Sequence, residues 1–70
     1  MENNKEFLKE LGTKILIQRT IRRMTISELS KKTGICKPTL SSMENGQRNT
    51  HILSLKSIAD AFSIDIKEFL

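Results

Sequence analysis

Residues 26–46 carry several hydrogen-bonding side chains within two short helical patterns. The segment reads ISELSKKTGICKPTLSSMENG, and its second half contains Lys37, Ser41 and Ser42. A lysine ammonium is a charged hydrogen-bond donor, whereas a serine hydroxyl both donates and accepts. Because lysine and serine are also common on solvated helix surfaces, whether they contact a partner depends on how the helix is packed on the rest of the domain.

The apolar residues of this segment indicate how it is held. Leu29, Ile35, Leu40 and Met43 take the apolar positions of two short helical patterns, and Gly34 lies where the first pattern must stop. This spacing lets two helices cross at a steep angle and leaves the polar face of the second outside. A protruding polar helix on a basic domain is what reading of the major groove requires.

The positive charge of the chain is concentrated in its first half. The net charge is +4; residues 1–35 hold eight basic and four acidic residues, whereas residues 36–70 hold four of each. A basic half suits a polyanion such as nucleic acid. Since many small domains are mildly basic, charge by itself favours this partner only weakly.

Length and composition limit the alternatives. Seventy residues make one domain with a core near the lower limit of independent stability. No apolar run approaches the roughly 20 residues of a membrane span, and the opening MENNKEFLKE lacks a signal-peptide core, so we expect a cytoplasmic protein. One cysteine and one histidine leave no disulfide, metal cluster or Ser/His/Asp set. We therefore expect no enzyme, cofactor, metal or small-molecule ligand.

Start and stop patterns predict the first three of five helices. The first runs over about residues 6–22, with an interruption at Gly12 that would permit close packing. Thr25-Ile-Ser-Glu28 is a capping box that starts the second helix, and Gly34 ends it. Pro38 lies in the first turn of the third helix, which reaches about Glu44 or Asn45.

Two further helices are predicted after a polar loop, and no strand. The fourth spans about residues 52–62, and its apolar face is formed by Ile52, Leu55, Ile58, Ala59 and Phe62. Asp65-Ile-Lys-Glu68 is similar to a capping box and starts a short final helix.

Many of these positions agree with one known family in order and spacing. They are Leu29, Gly34, Leu40, the run MENG at 43–46, Arg48-Asn49 and residues 55–62. Through them the chain resembles, from about Leu11 to Leu70, the phage repressor and Cro-type (XRE-like) helix-turn-helix family. The resemblance implies an all-α, five-helix, lambda-repressor-like domain over residues 1–70, with its helix-turn-helix motif at about 26–45.

The resemblance also implies which residues meet DNA. The third helix, about residues 37–45, would lie in the major groove and contact bases through Lys37, Pro38, Ser41 and Ser42. Pro38 offers only an apolar contact, for instance with a thymine methyl. Phosphates would be contacted by Ser27, Thr39, Asn45, Gln47, Arg48, Asn49 and, secondarily, Arg19. Family members commonly pair an arginine of the first helix with the glutamate that closes the third, here Arg19 with Glu44, and such a pair would fix the reading helix.

The chain departs from the family pattern at several positions. Ile26 stands where the family usually has a glutamine that braces a phosphate, a task left to Ser27 and the free N–H groups of the helix start. Ser30 replaces an alanine and needs a partner for its hydroxyl. Arg23 and Ser63 each replace a common glycine.

Cys36 lies at the predicted start of the reading helix. A helix N-terminus lowers the pKa of a thiol, so a redox switch beside DNA is one interpretation. A passive small residue is the favoured one, because the chain has no second cysteine to resolve an oxidised thiol.

The expected function is sequence-specific binding of double-stranded DNA by a transcriptional regulator, a repressor or activator according to where its site lies. It would act as a homodimer on a pseudo-palindrome, nucleoid-associated when bound. The neutral second half supplies the expected dimer surface: Ile64, Ile66, Phe69 and Leu70. The alternative is an antitoxin or protein-interaction module, favoured slightly by Ile17, Ile21 and the substituted Ile26. Either the chain ends or a partner would cover the apolar pair Ile17 and Ile21.

Overall fold

The computed structural model describes residues 2–70, with side-chain surroundings from residue 4 onward. Four α-helices follow one another: α1 (Glu2–Ile21), α2 (Ile26–Thr33), α3 (Lys37–Glu44) and α4 (Ile52–Phe62). A 3₁₀ helix, Ile66–Phe69, closes the chain, and the described residues contain no strand. The predicted all-α fold is confirmed. The fifth helix is 3₁₀ because its backbone bonds span three residues, Glu68 N–H to Asp65 O and Leu70 N–H to Lys67 O, both at 3.0 Å.

The helices pack around one hydrophobic core. α1 packs on α3, and α2 packs on both α3 and α4. Each of the five described elements supplies buried residues: Leu11, Ile15, Leu29, Leu40, Met43, Leu55, Ile58, Ala59, Phe62 and Phe69. No helix in the described part of the chain has the length and apolar character of a membrane span.

Local sequence chemistry sets the ends of α2 as predicted. The Thr25 hydroxyl accepts from the Glu28 N–H at 3.1 Å, and the Glu28 carboxylate accepts from the Thr25 N–H at 2.9 Å. This reciprocal pair satisfies two donors that would otherwise be unpaired at the helix start. Because the Thr25 backbone N–H donates to the Glu28 carboxylate, the pKa of Glu28 is lowered. Gly34 ends the helix in the left-handed conformation, with φ of 76°.

One expectation about exposure needs correction, and one of two alternatives is excluded. Ile52 was expected on the buried face of α4 but is 60% exposed, because it is the first residue of the helix and the α4 part of the core begins at Leu55. Ile17 and Ile21 are 49% and 68% exposed, so the ends of the described chain do not cover them.

Candidate nucleic-acid interface

α3 presents one face to the core and the opposite face to solvent. Leu40 and Met43 anchor it at 0% and 4% exposure. Three of the four residues expected to touch bases, Lys37, Pro38 and Ser41, are exposed, and the fourth, Ser42, is half-buried. Their shared outward direction follows from the 3.6-residue period, which places them opposite the two buried anchors.

A bidentate ion pair ties the end of α3 to α1. Arg19 Nε donates to Glu44 Oε2 at 2.7 Å, and its Nη2 donates to Glu44 Oε1 at 3.1 Å. Arg19 Nη1 also donates to the Met24 carbonyl at 2.8 Å. The hydrogen bond to Glu44 raises the pKa of Arg19. This geometry confirms the predicted pair, which fixes α3 relative to α1 by two parallel bonds.

Gly12 allows α1 and α3 to approach closely at the same place. A Cβ at this position would lie 2.3 Å from the Met43 carbonyl oxygen and 2.6 Å from that of Glu44. These are backbone atoms and cannot move aside as a side chain would. The interruption of the first helical pattern at Gly12 therefore serves close packing.

The turn between α2 and α3 is fixed by a serine hydroxyl. Ser30 Oγ donates to the Ile35 carbonyl at 2.6 Å, which gives the hydroxyl the partner that its position requires. Thr33 Oγ1 accepts from the Ile35 N–H at 3.2 Å. Together with Gly34, these bonds set the direction in which α3 leaves the turn.

The structure brings the starts of α2 and α3 together. Lys37 Nζ donates to Ser27 Oγ at 3.2 Å. One partner was expected to touch a base and the other a phosphate. Their contact was not predicted, since a separation of ten residues across a turn leaves no periodic pattern in the sequence.

Cys36 and Thr39 meet at the N-terminus of α3. Cys36 is the N-cap residue and its side chain makes no capping bond. Its Sγ lies 3.0 Å from Thr39 Oγ1. The hydrogen bond from Thr39 lowers the pKa of the exposed Cys36 thiol. Half-buried Thr39, expected to touch a phosphate, therefore already shares its hydroxyl with a neighbour.

The loop after α3 carries the other residues expected to touch phosphates. Asn45, Gln47, Arg48 and Asn49 are all exposed. The loop turns at Gly46, with φ of 70°, and the Gln47 N–H donates to the Ser42 carbonyl at 2.9 Å. The backbone is thus anchored to α3 while these side chains project outward.

The residues expected at a dimer surface separate into three kinds. Leu70 is 68% exposed, and Ile64 and Ile66 are half-buried. The prediction that Phe69 lies on this surface needs correction. Phe69 is 1% exposed, because its ring packs edge-on against Phe62 with 6.4 Å between the ring centroids. Phe69 belongs to the core beneath this surface.

Comparison with known proteins gives one family match and one similar solved structure. A sequence model of the helix-turn-helix family matches residues 5–69. No curated protein sequence gives a significant match. Among solved structures, the restriction-modification controller protein C.AhdI from Aeromonas hydrophila is similar, with a TM-score of 0.87 and 24% sequence identity. The alignment covers 90% of this chain and 96% of the controller, and at this identity it shows a shared fold.

Proposed function

The chain belongs to the helix-turn-helix family, and from this premise we propose that it reads a specific operator with α3. Membership makes it a DNA-binding transcriptional regulator and not an enzyme. In this proposal residues 1–70 form one domain whose helix-turn-helix motif covers about 26–45. The protein acts in the cytoplasm and on the nucleoid when bound.

The observation that carries the proposal is the outward face of α3 on a fixed support. Lys37, Pro38 and Ser41 are exposed on a helix whose opposite face is in the core. The Arg19–Glu44 pair holds that helix by two hydrogen bonds. A rigid helix with accessible donors is suited to the major groove, and these residues with Ser42 supply the proposed base contacts.

The proposed phosphate contacts surround α3. They are Ser27 at the start of α2, Thr39 within α3, and Asn45, Gln47, Arg48 and Asn49 in the following loop. Arg19 is secondary, because three of its nitrogens already donate to Glu44 and Met24. Contacts of this kind position the protein and make its affinity depend on salt.

We further propose a homodimer on a pseudo-palindromic site. The described chain presents a single α3 and extends 32 Å along its longest axis. Two reading helices about 34 Å apart therefore require a second copy. Leu70, with the half-buried Ile64 and Ile66, supplies the apolar contact, and Phe69 supports it from the core.

Selection of bound duplexes from a random pool tests this function. We expect an inverted repeat to be recovered. Lys37→Ala or Ser42→Ala should weaken binding to the recovered duplex more than to random duplex, by about 1–3 kcal/mol if a base contact is lost.

Arg48→Ala is the matched control, because loss of a phosphate contact should weaken binding to both duplexes alike. It should also reduce the slope of log affinity against log salt by about one. If Lys37→Ala behaves like Arg48→Ala, the reading helix has been misplaced.

The exposed pair Ile17 and Ile21 favours a second candidate function, binding of a protein partner through α1. Titration of binding to random duplex with salt separates the two. Affinity that falls steeply with salt supports DNA binding, whereas no affinity even at low salt favours the protein partner.

A further inference from the structure

The hydrogen bond between Lys37 and Ser27 links the first turn of α3 to the first turn of α2. Lys37 Nζ lies 3.2 Å from Ser27 Oγ, across the turn that separates the two helices. We propose that Ser27 is a positioning residue for Lys37, which holds the ammonium group where it selects one base pair. This inference rests on the proposed function and adds a cause of its specificity.

Lysine needs such a partner more than a rigid donor would. Its four-carbon stem leaves the ammonium free to rotate, and its specificity for a base is then low. An ammonium group has three N–H donors, of which one is used by Ser27. The two that remain suffice for the O6 and N7 acceptors of a guanine.

Ser27 is neutral, so its hydrogen bond preserves the positive charge of the Lys37 ammonium group, which DNA attracts. Glu28, which follows Ser27 in the sequence, carries the nearest carboxylate along the chain. That carboxylate accepts a hydrogen bond from the Thr25 backbone N–H in the capping box. Among the described residues the ion pairs are Arg19–Glu44 and Lys56–Asp60, and Lys37 is in neither. Lys37 is therefore held without an ion pair that DNA binding would have to break.

The serine hydroxyl has a second bonding direction. A hydroxyl donates one hydrogen bond and accepts up to two. Ser27 accepts from Lys37, so its own O–H is left for a phosphate oxygen at the start of α2. Ser27 would thereby link two kinds of contact: its own bond to a phosphate, which sets the register of the protein on DNA, and the bond of Lys37 to a base, which reads the sequence.

The first turn of α2 has no substitute for this hydroxyl. Ile26 is apolar and packs against the core, and Glu28 is engaged in the cap. Removal of the Ser27 hydroxyl would leave Lys37 without a fixed position, while the Thr25–Glu28 capping box of α2 stays intact. The expected consequence is a loss of base selectivity with little change in folding.

A double-mutant cycle tests the proposal on the duplex that the wild-type chain selects from a random pool. Ser27→Ala should reduce the preference for the selected over the random duplex about fivefold. In the Lys37→Ala background the same change should have no further effect on that preference. Ser27→Thr, which keeps the hydroxyl, should restore it.

A second selection, carried out with Ser27→Ala, identifies the base pair concerned. The position that becomes degenerate should be the one that Lys37→Ala also makes degenerate. Ser57→Ala, a matched change on α4, should leave the selected sequence unaltered, and the unfolding temperatures of all variants should agree within a few degrees.

The outcomes separate this inference from the function on which it rests. If the wild type binds DNA but the two substitutions act additively, or if Ser27→Ala weakens selected and random duplex alike, Ser27 contacts only phosphate and the positioning role is overturned. If the wild type binds no duplex at low salt, the proposed function fails, and the positioning role with it.

Discussion

Two non-glycine residues in the described part of the chain adopt a backbone conformation that side chains disfavour. Arg23 and Ser63 have φ values of 52° and 59°, in the left-handed region, at the two positions where the resemblance led us to expect glycine. The conformation costs roughly 1–2 kcal/mol for a residue with a Cβ. The turns after α1 and α4 therefore adopt this conformation in the present chain without a glycine.

Cys36 offers a pH-dependent test at the residue scale. The Thr39 hydroxyl lowers the pKa of the thiol, so more thiolate is present at a given pH below the ordinary pKa. Thr39→Val removes that hydrogen bond while it keeps the shape of the side chain. We expect the midpoint of the alkylation rate of Cys36 against pH to move upward.

The rate of reaction with iodoacetamide between pH 6 and 10 measures this effect. Ser41→Ala, a neighbouring hydroxyl that makes no bond to Cys36, is the control and should leave the midpoint unchanged. Equal midpoints in wild type and Thr39→Val would show that the hydroxyl does not stabilise the thiolate.

The position of α3 depends on its attachment to α1 at one end and to α2 at the other. At its C-terminus the Arg19–Glu44 pair and the close approach of Gly12 hold it against α1. At its N-terminus the Ser30 hydroxyl fixes the preceding turn. The Glu44 side chain is only 8% exposed, so loss of Arg19 would leave a carboxylate without its charged partner in a largely dry site.

Gly12→Ala tests the close approach of these two helices. The added methyl group would meet backbone oxygens of α3 at 2.3 and 2.6 Å. We expect a loss of about 1–3 kcal/mol in the free energy of unfolding, even though alanine favours a helix by about 1 kcal/mol over glycine. The variant should also bind the selected duplex more weakly, because α3 must shift.

Urea denaturation of Gly12→Ala and Thr13→Ala measures the first effect. Thr13 is the exposed neighbour on the same helix, so its substitution should change stability by less than about 0.5 kcal/mol. A Gly12→Ala variant as stable as this control would mean that the helices can separate at little cost.

At the scale of the whole molecule, a small core and exposed apolar residues favour association. The described core consists of ten residues. Outside it, several large apolar side chains remain exposed: Phe7, Leu16, Ile17, Ile21, Ile52, Leu53 and Leu70. They do not all belong to one element, so only a comparison of variants identifies which of them meets a second copy.

Leu70→Asp tests the proposed dimer surface. A charge on this 68% exposed side chain should leave the fold of one copy intact and weaken dimerisation at least tenfold, because burial of an apolar side chain is worth about 1.5–3 kcal/mol. Sedimentation equilibrium measures the dissociation constant.

Ile21→Asp is the matched control on α1, since Ile21 is also 68% exposed. It should leave the dimer unchanged. The reverse result, with dimerisation lost only in Ile21→Asp, would place the interface on α1 and contradict the C-terminal surface.

Much of the fold follows from interactions between residues close in the chain. The Thr25–Glu28 capping box, the left-handed Gly34 and Pro38 in the first turn of α3 act within one helical turn, so their residue types alone predict where helices begin and end. The Arg19–Glu44 pair was predictable only through the family resemblance, since nothing in the local sequence connects residues 25 positions apart.

The tertiary structure alone determined the contacts and exposures that depend on residues distant in the sequence. The amphipathic pattern treats Ile52 and Leu55 alike, yet one is exposed and the other buried. Phe69 enters the core because Phe62 receives it, and Ser27 meets Lys37 because the turn at Gly34 brings two helix starts together. Periodicity defines which residues share a face of a helix, but the position of the neighbouring helices determines where along that face the core ends.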